Sequence, residues 1–201
     1  MTDKALLTIG GKFPENTKNL NWQISTTGEH SIEEMRQYAR ELDTINLETI
    51  SKQCPVDTRT KMFGRHKLSM ETIRSIIEDL NTLGYRGTSF FHSYNEPLLD
   101  KRIYEIIRLH HEVCPDAKTG ILTNGALLTE EVGHKLFDAG ITTLMVSAYH
   151  LQDPDEVGIE EAQRIAEIMN SLAAQYPENK FVMDAMILDD RMNFYYHGWA
   201  M

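Results

Sequence analysis

"GTSFFHSYNEPLLDKRIYEIIRLHHEVC", residues 87–114, holds one complete strand, turn and helix. It begins with a run rich in β-branched and aromatic residues, which is typical of a buried strand. Ile103, Ile106 and Ile107 then recur at helical spacing, which predicts a helix with one inward face. The polar turn between them, "SYNEP" at residues 93–97, is of the kind that holds ligands at strand ends in α/β proteins.

The same alternation recurs from residue 44 onward. Strands are predicted over residues 44–50, 87–92, 118–123, 141–149 and 180–188. Helices are predicted between them, with N-caps at Ser69 and Thr129 and helix ends at Gly84 and Gly140. Strands alternating with such helices indicate parallel βαβ units with right-handed crossovers. The fold class is therefore α/β, and we expect a partial (β/α) barrel of parallel strands with outer helices.

The pattern divides the chain into two regions. Residues 1–43 are interpreted as an N-terminal extension with one helix, "SIEEMRQYARELD" at residues 31–43, and residues 44–201 as the partial barrel. Nothing after the fifth strand resembles a covering helix followed by a sixth strand. We therefore expect a barrel that is truncated after its fifth strand or completed from outside this chain.

Composition narrows the functional classes. The chain has 201 residues, 41% hydrophobic and 25% charged, as expected for a globular domain. Its net charge of -10 argues against nucleic-acid or anionic-membrane binding, although residues 59–67 are locally basic. That basic stretch is interpreted either as a solvated loop or as a cradle for an anionic substrate. No stretch approaches a membrane span or a secretory signal, so a cytoplasmic location is predicted.

Several segments together resemble one enzyme family. "FFHSYNEPLLD", residues 90–100, resembles the motif after the second strand of radical S-adenosylmethionine (radical SAM) enzymes. "TGILTNGALLTEE", residues 119–131, is similar to the third strand and turn of that family, and "GITTLMVSAYH", residues 140–150, to the fourth strand. "GRHKLSMETIRSIIEDL", residues 64–80, is similar to the segment between the cluster loop and the second strand. The resemblance covers residues 44–188 and is specific in order and spacing.

The resemblance implies a function and a set of site residues. It implies a radical SAM enzyme or its core, which uses S-adenosylmethionine and a [4Fe–4S] cluster to abstract a substrate hydrogen through a 5′-deoxyadenosyl radical. Glu96 would hold the cofactor ammonium, Asn124 would lie near its carboxylate, and Ser147 near its ribose or carboxylate. The cofactor-binding residues implied in this way are Ser93, Tyr94, Asn95, Glu96, Asn124 and Ser147. A small-molecule or peptide substrate and a reductant protein are the expected partners.

The sequence departs from the family at the cluster loop. The family motif is Cys-x3-Cys-x2-Cys, because three thiolates hold the cluster. The corresponding segment here, "ETISKQCPVDTRTKM" at residues 48–62, supplies only Cys54 as a metal ligand. Cys114, the other cysteine of the chain, falls at the far end of a predicted helix. Either the chain lacks the motif, or this loop differs from that of the native polypeptide.

Other interpretations stay open at this point. The turns have purely structural explanations, since Asn-Gly at residues 124–125 suits positive φ and the Glu96 carboxylate could simply cap a helix. The chain could be a degenerate radical-SAM-like binding or partner subunit without redox chemistry. It could also be an unrelated barrel enzyme that uses Glu96, His92 and His150 for acid–base chemistry. His92, His150 and Cys54 together would form a candidate zinc ligand set.

Overall fold

The computed structural model of the chain describes residues 7–10, 31–50, 67–92, 95–148 and 156–184. The helices are α1 (Ile32–Glu41), α2 (Met70–Leu83), α3 (Ile103–Val113), α4 (Glu130–Ala139) and α5 (Glu156–Gln175), with a short 3-10 helix at Pro97–Leu99. The strands are β1 (Leu7–Gly10), β2 (Thr44–Leu47), β3 (Thr88–Phe90), β4 (Lys118–Thr123), β5 (Thr143–Ser147) and β6 (Lys180–Asp184).

The strands form one sheet in the order β1-β2-β3-β4-β5-β6. Strands β2 to β6 pair with their neighbours in parallel, and each is joined to the next by a connection that contains a helix. Consecutive parallel neighbours with this connectivity require crossovers of one hand, which curl the sheet in one direction. The predicted α/β architecture, with parallel strands and outer helices, is confirmed.

Local sequence signals set the helix ends. The Ser69 side chain accepts a hydrogen bond from Thr72 N at 3.0 Å and so caps α2. The Thr129 side chain accepts one from Val132 N at 3.2 Å and caps α4. Gly84 and Gly140 end these two helices in the left-handed conformation, with φ of 72° and 110°. These predicted caps are confirmed, because the structure shows the hydrogen bonds and dihedral angles that they require.

The core lies between the sheet and the helices. Helices α2 to α5 bury apolar residues spaced three or four apart, as the periodicity predicts. The most completely buried of these are Ile73, Ile77, Ile106, Ile107, Leu136, Ile165 and Leu172. On the sheet, Ile45, Ile121 and Leu144 fill the same layer. This packing fixes the helices against the strands and leaves the strand ends to carry the polar turns.

The N-terminal region contributes more than the predicted helix. That helix is present as α1, but β1 also pairs antiparallel with β2, so that Leu7 lies opposite Leu47 and Gly10 opposite Thr44. The sequence reading did not assign this strand. The last four residues of the predicted fifth strand and everything after them lie outside the described residues. Among the helices that the structure describes, none is long and apolar enough to cross a membrane.

Candidate functional site

Glu96 stands at the centre of the polar edge formed by the carboxyl ends of the strands. It precedes the 3-10 helix, and its side chain is almost completely buried. Its Oε1 accepts hydrogen bonds from Leu98 N at 3.1 Å and from Thr123 Oγ1 at 2.7 Å. Its Oε2 accepts one from Asn124 N at 2.9 Å. The carboxylate therefore caps its own turn and joins the end of β3 to the end of β4.

This geometry bears on how Glu96 could meet a ligand. A carboxylate has about four lone-pair positions, and three donors of the protein already occupy positions on Glu96. The capping interpretation raised from the sequence is thus present in the structure. The link from Glu96 to Thr123 and Asn124 was not foreseen, since no sequence pattern specifies which residue a side chain reaches on the next strand.

The turn after β4 is held from several sides. Asn124 Oδ1 accepts a hydrogen bond from Ala126 N at 3.0 Å, and Gly125 has φ of 81°. Arg164, on α5, donates to Leu128 O at 2.7 Å and to Gly125 O at 3.1 Å. The backbone nitrogen of Asn124 donates to Glu96, but among the hydrogen bonds of the described residues none has the side-chain nitrogen Nδ2 of Asn124 as its donor. The turn is therefore fixed by its own hydrogen bonds and by Arg164, without the side-chain nitrogen of Asn124.

Ser147 lies beside Asn124 at the same edge. Thr123 pairs with Val146 in the register of β4 and β5, and Asn124 and Ser147 are the residues that follow these two. Both are therefore at the carboxyl ends of adjacent strands, where α/β sheets bind ligands. The structure brings Glu96, Asn124 and Ser147 together at neighbouring strand ends.

The remaining predicted residues divide into described and undescribed ones. Asn95 is buried, and its side-chain nitrogen donates to Phe91 O at 3.4 Å. His92 is half-buried two residues after the end of β3, and burial lowers the pKa of its imidazole, which favours the neutral form. Ser93, Tyr94 and Cys54 lie outside the described residues.

A buried ion pair adjoins the Glu96 turn, and sequence reasoning missed it. Asp100 Oδ2 lies 2.8 Å from Arg102 Nη2, with the Asp100 side chain fully buried and the Arg102 side chain 16% exposed. Burial acts to raise the pKa of Asp100, but hydrogen bonds from the Arg102 side chain and backbone outweigh it and hold that pKa below its ordinary value. The signal in the sequence is an Asp and an Arg two residues apart, between the apolar residues Leu99 and Ile103.

The described residues do not form a metal centre. No group of three or more His, Cys, Asp or Glu side chains suited to a metal ion occurs among them. Cys114 is buried after α3, and burial raises the pKa of its thiol. Because it precedes β4, it lies at the amino ends of the strands, opposite the edge that carries Asn124. His150, like Cys54, lies outside the described part, so the zinc interpretation stays a prediction.

Comparison by sequence finds a curated relative that matches part of the chain. The "S-adenosyl-L-methionine-dependent 2-deoxy-scyllo-inosamine dehydrogenase" of Niallia circulans is 34% identical over 76 residues, which is 38% of this chain and 30% of the relative. No protein-family model matches the chain. The chain therefore matches less than a third of that relative's length.

Comparison by structure finds solved structures that share the architecture of this chain. The crystal structure of BtrN in complex with AdoMet and 2-DOIA matches with a TM-score of 0.54 and 22% identity, over 70% of this chain and 56% of that chain. An open conformation of SeMet BtrN matches with a TM-score of 0.52 and 22% identity, over 72% of this chain and 56% of that chain. The chain thus spans just over half of these structures. The predicted α/β fold of parallel strands with outer helices is confirmed, and it is the fold of these BtrN structures.

Proposed function

Because the chain has the fold of the radical SAM superfamily, we propose that the carboxyl edge of its parallel sheet binds S-adenosylmethionine and that the chain is the core of a radical SAM enzyme. The observation that carries the proposal is the pair of hydrogen bonds from Thr123 and Asn124 to the buried Glu96 carboxylate. They fix the turns after β3 and β4 relative to each other. A pocket built on two such turns is formed before the ligand arrives, which lowers the entropic cost of binding.

Each residue of the edge has a proposed role. The side-chain nitrogen of Asn124 donates to the cofactor carboxylate. The hydroxyl of Ser147, on the adjacent strand, reaches the cofactor carboxylate or the ribose. Glu96 positions the turn and has one lone-pair position left for the cofactor ammonium. Ser93, Tyr94 and Asn95 belong to the same turn and are proposed to line the methionyl end of the site.

The cluster is a separate question, because the thiolates in this sequence do not fit it. When bound in this superfamily, a [4Fe–4S] cluster supplies the electron that cleaves the cofactor. A three-thiolate site needs three cysteines on one side of the barrel, whereas this chain has two cysteines. Cys114 lies at the amino ends of the strands, which leaves Cys54, in the segment that resembles the cluster loop, as the single candidate thiolate in the sequence. No reaction step is derived through the cluster.

The cysteine count favours a second candidate function. In this alternative the chain is a binding or partner subunit that keeps the S-adenosylmethionine pocket and performs no redox chemistry. Under the first proposal, the partners are a small-molecule or peptide substrate and a reductant protein. Under both, the net charge of -10 argues against a nucleic-acid partner.

Anaerobic reconstitution with iron and sulfide separates the two candidates. A brown protein with sulfur-to-iron charge-transfer absorbance, which forms 5′-deoxyadenosine after reduction, supports the radical enzyme. A colourless protein that binds S-adenosylmethionine in a calorimetric titration supports the binding subunit. A protein that binds no S-adenosylmethionine contradicts both candidate functions and favours an unrelated barrel enzyme. A Cys54→Ala variant is the matched control, because it removes the single candidate thiolate of the cluster-loop segment.

A further inference from the structure

The end of β2 is joined to the start of α2 by contacts between residues far apart in sequence. Leu68 N donates to Thr49 O at 3.0 Å, and Ile50 forms an isolated antiparallel bridge with Lys67. These contacts place residues 49–50 next to residues 67–68, beyond the carboxyl end of β2. We call this pairing of residues 49–50 with residues 67–68 the β2 closure. Strand β2 is the neighbour of β3 in the sheet, and the Glu96 turn follows β3.

The buried ion pair touches both sides of this closure. Asp100 Oδ2 accepts a hydrogen bond from Thr49 Oγ1 at 3.1 Å, and Arg102 Nη1 donates to Leu68 O at 2.8 Å. The pair itself is bidentate, with Arg102 Nε to Asp100 Oδ1 at 3.0 Å and Arg102 Nη2 to Asp100 Oδ2 at 2.8 Å. The guanidinium thus bridges a buried carboxylate on one side and a backbone carbonyl on the other.

The same carboxylate is tied to the Glu96 turn. Asp100 N donates to Pro97 O at 3.0 Å and Leu99 N to Glu96 O at 3.1 Å, so one short helical turn separates Asp100 from Glu96. Asp100 Oδ1 also accepts from Arg102 N at 3.1 Å, which fixes the start of α3. A shift of Asp100 would therefore move the Glu96 turn and the β2 closure relative to each other.

A turn of this length does not need a buried ion pair. Burying a carboxylate and a guanidinium costs free energy unless both are fully hydrogen-bonded, and apolar residues of similar volume are often as stable. Among the described residues, the hydrogen bonds of the pair reach one of two places, the β2 closure or the turn that leads from Glu96 into α3. The planar fork of Arg102 forms bidentate, directional hydrogen bonds, and such bonds fix the relative position of the groups that they join.

We propose that Asp100 and Arg102 are positioning residues for the S-adenosylmethionine site, which hold the β2 closure at residues 49–50 and 67–68 in register with the Glu96 turn. They act through Thr49, Leu68 and Pro97 and do not touch the ligand. The inference rests on the proposed function, since it assigns these residues to the same edge. Its consequence is that ligand affinity depends on a buried pair that lies outside the ligand contacts.

The test compares S-adenosylmethionine affinity by calorimetry in the wild-type chain and in Asp100→Asn, at a temperature where circular dichroism shows both folded. Asp100→Asn keeps the shape but removes the charge that holds Arg102, and we expect affinity to fall about tenfold, the lower end of what loss of an outer hydrogen-bond partner costs at metal sites. Thr49→Val is the milder variant if Asp100→Asn does not fold, with an expected loss of about threefold. Asp116→Asn is the matched control, since its ion pair with Arg86 is exposed and 3.7 Å long.

Hydrogen exchange supplies a second readout that a general loss of stability would not reproduce. In Asp100→Asn the amides of Lys67 and Leu68 should exchange faster, while those of β4 and β5 stay as slow as in the wild type. If Asp100→Asn or Thr49→Val binds with wild-type affinity, the inference is overturned while the proposed function stands. If the wild-type chain binds no S-adenosylmethionine, the proposed function fails and the inference fails with it.

Discussion

The hydroxyl of Thr123 donates a 2.7 Å hydrogen bond to the buried carboxylate of Glu96, across the gap between the ends of β4 and β3. The backbone of Asn124 donates a second bond to the same carboxylate. One side chain therefore determines how two strand-end turns face each other. This relationship organises the candidate site and generates the first two predictions.

Glu96→Gln should destabilise the protein and weaken S-adenosylmethionine binding. Whichever way the new amide turns, its NH₂ group faces a protein donor, either Asn124 N or the pair Leu98 N and Thr123 Oγ1. A buried donor left without an acceptor costs about 1–3 kcal/mol, which urea unfolding measures. Glu131→Gln is the control, because its ion pair with Lys135 is exposed and its loss should change little.

Thr123→Val should lower the free energy of unfolding by about 1–2 kcal/mol, because it removes the hydroxyl and keeps the side-chain shape. That hydroxyl also accepts a hydrogen bond from Gly125 N at 3.2 Å. In a double-mutant cycle, Thr123→Val and Glu96→Gln should be non-additive by at least about 0.5 kcal/mol, since they share one contact. Additive effects would show that the bond between them contributes nothing to stability.

Gly125→Ala should lower the free energy of unfolding more than Gly84→Ala does, although both glycines have positive φ, 81° and 72°. A Cβ on Gly125 would lie 2.8 Å from both Ile165 Cδ1 and Val146 Cγ1, whereas one on Gly84 would meet only Arg40 Nε at 3.8 Å. We expect about 1 kcal/mol for Gly84→Ala from backbone strain alone. Gly125→Ala adds overpacking and should cost about 2–4 kcal/mol in chemical unfolding. Equal losses would contradict the crowding at Gly125.

His110 should make stability depend on pH below neutrality. It is completely buried, its Nε2 lies 2.8 Å from Ser89 Oγ, and burial lowers its pKa from 6.5 to about 4. Between those values the unfolded chain binds a proton that the folded chain does not, so stability falls as pH drops from 6.5 towards 4. The pKa shift of His110 corresponds to a total change of about 3 kcal/mol in the free energy of unfolding.

Urea unfolding at several pH values in that window checks the assignment to His110. The His110→Gln variant should lose this part of the pH dependence, since glutamine does not titrate there. His111→Gln, a change at the exposed neighbouring residue, should keep it. The same pH dependence in wild type and His110→Gln would contradict a neutral buried imidazole.

The sequence predicts the framework because its signals are local. Each periodic set of isoleucines acts within its own helix, and the caps Ser69 and Thr129 each act at the start of one helix. The alternation of strands and helices then restricts the topology to parallel strands with crossover connections. The edge that carries Glu96, Asn124 and Ser147 follows from the same rule, because the carboxyl ends of parallel strands meet. Their roles toward a ligand come from the family resemblance and stay predictions.

The contacts within the site could not be predicted in the same way. The bond from Thr123 to Glu96 and the bridge from Arg102 to Leu68 depend on strand register and side-chain direction across the sheet. Periodicity specifies which face a residue lies on, but not which atom it reaches on a neighbouring strand. Strand β1 was missed for a related reason, since four residues that pair at a sheet edge carry too little pattern to be recognised.

A calorimetric titration with S-adenosylmethionine, comparing wild type with Asn124→Asp, tests the central claim most directly. The aspartate keeps the Oδ1 that accepts from Ala126 N, but replaces the free amide donor with a negative oxygen. We predict that wild type binds and that Asn124→Asp remains folded but loses at least about tenfold in affinity, because a like charge then faces the cofactor carboxylate. Equal affinity in the two proteins, or no binding by the wild type, would contradict a cofactor site at this edge of the sheet.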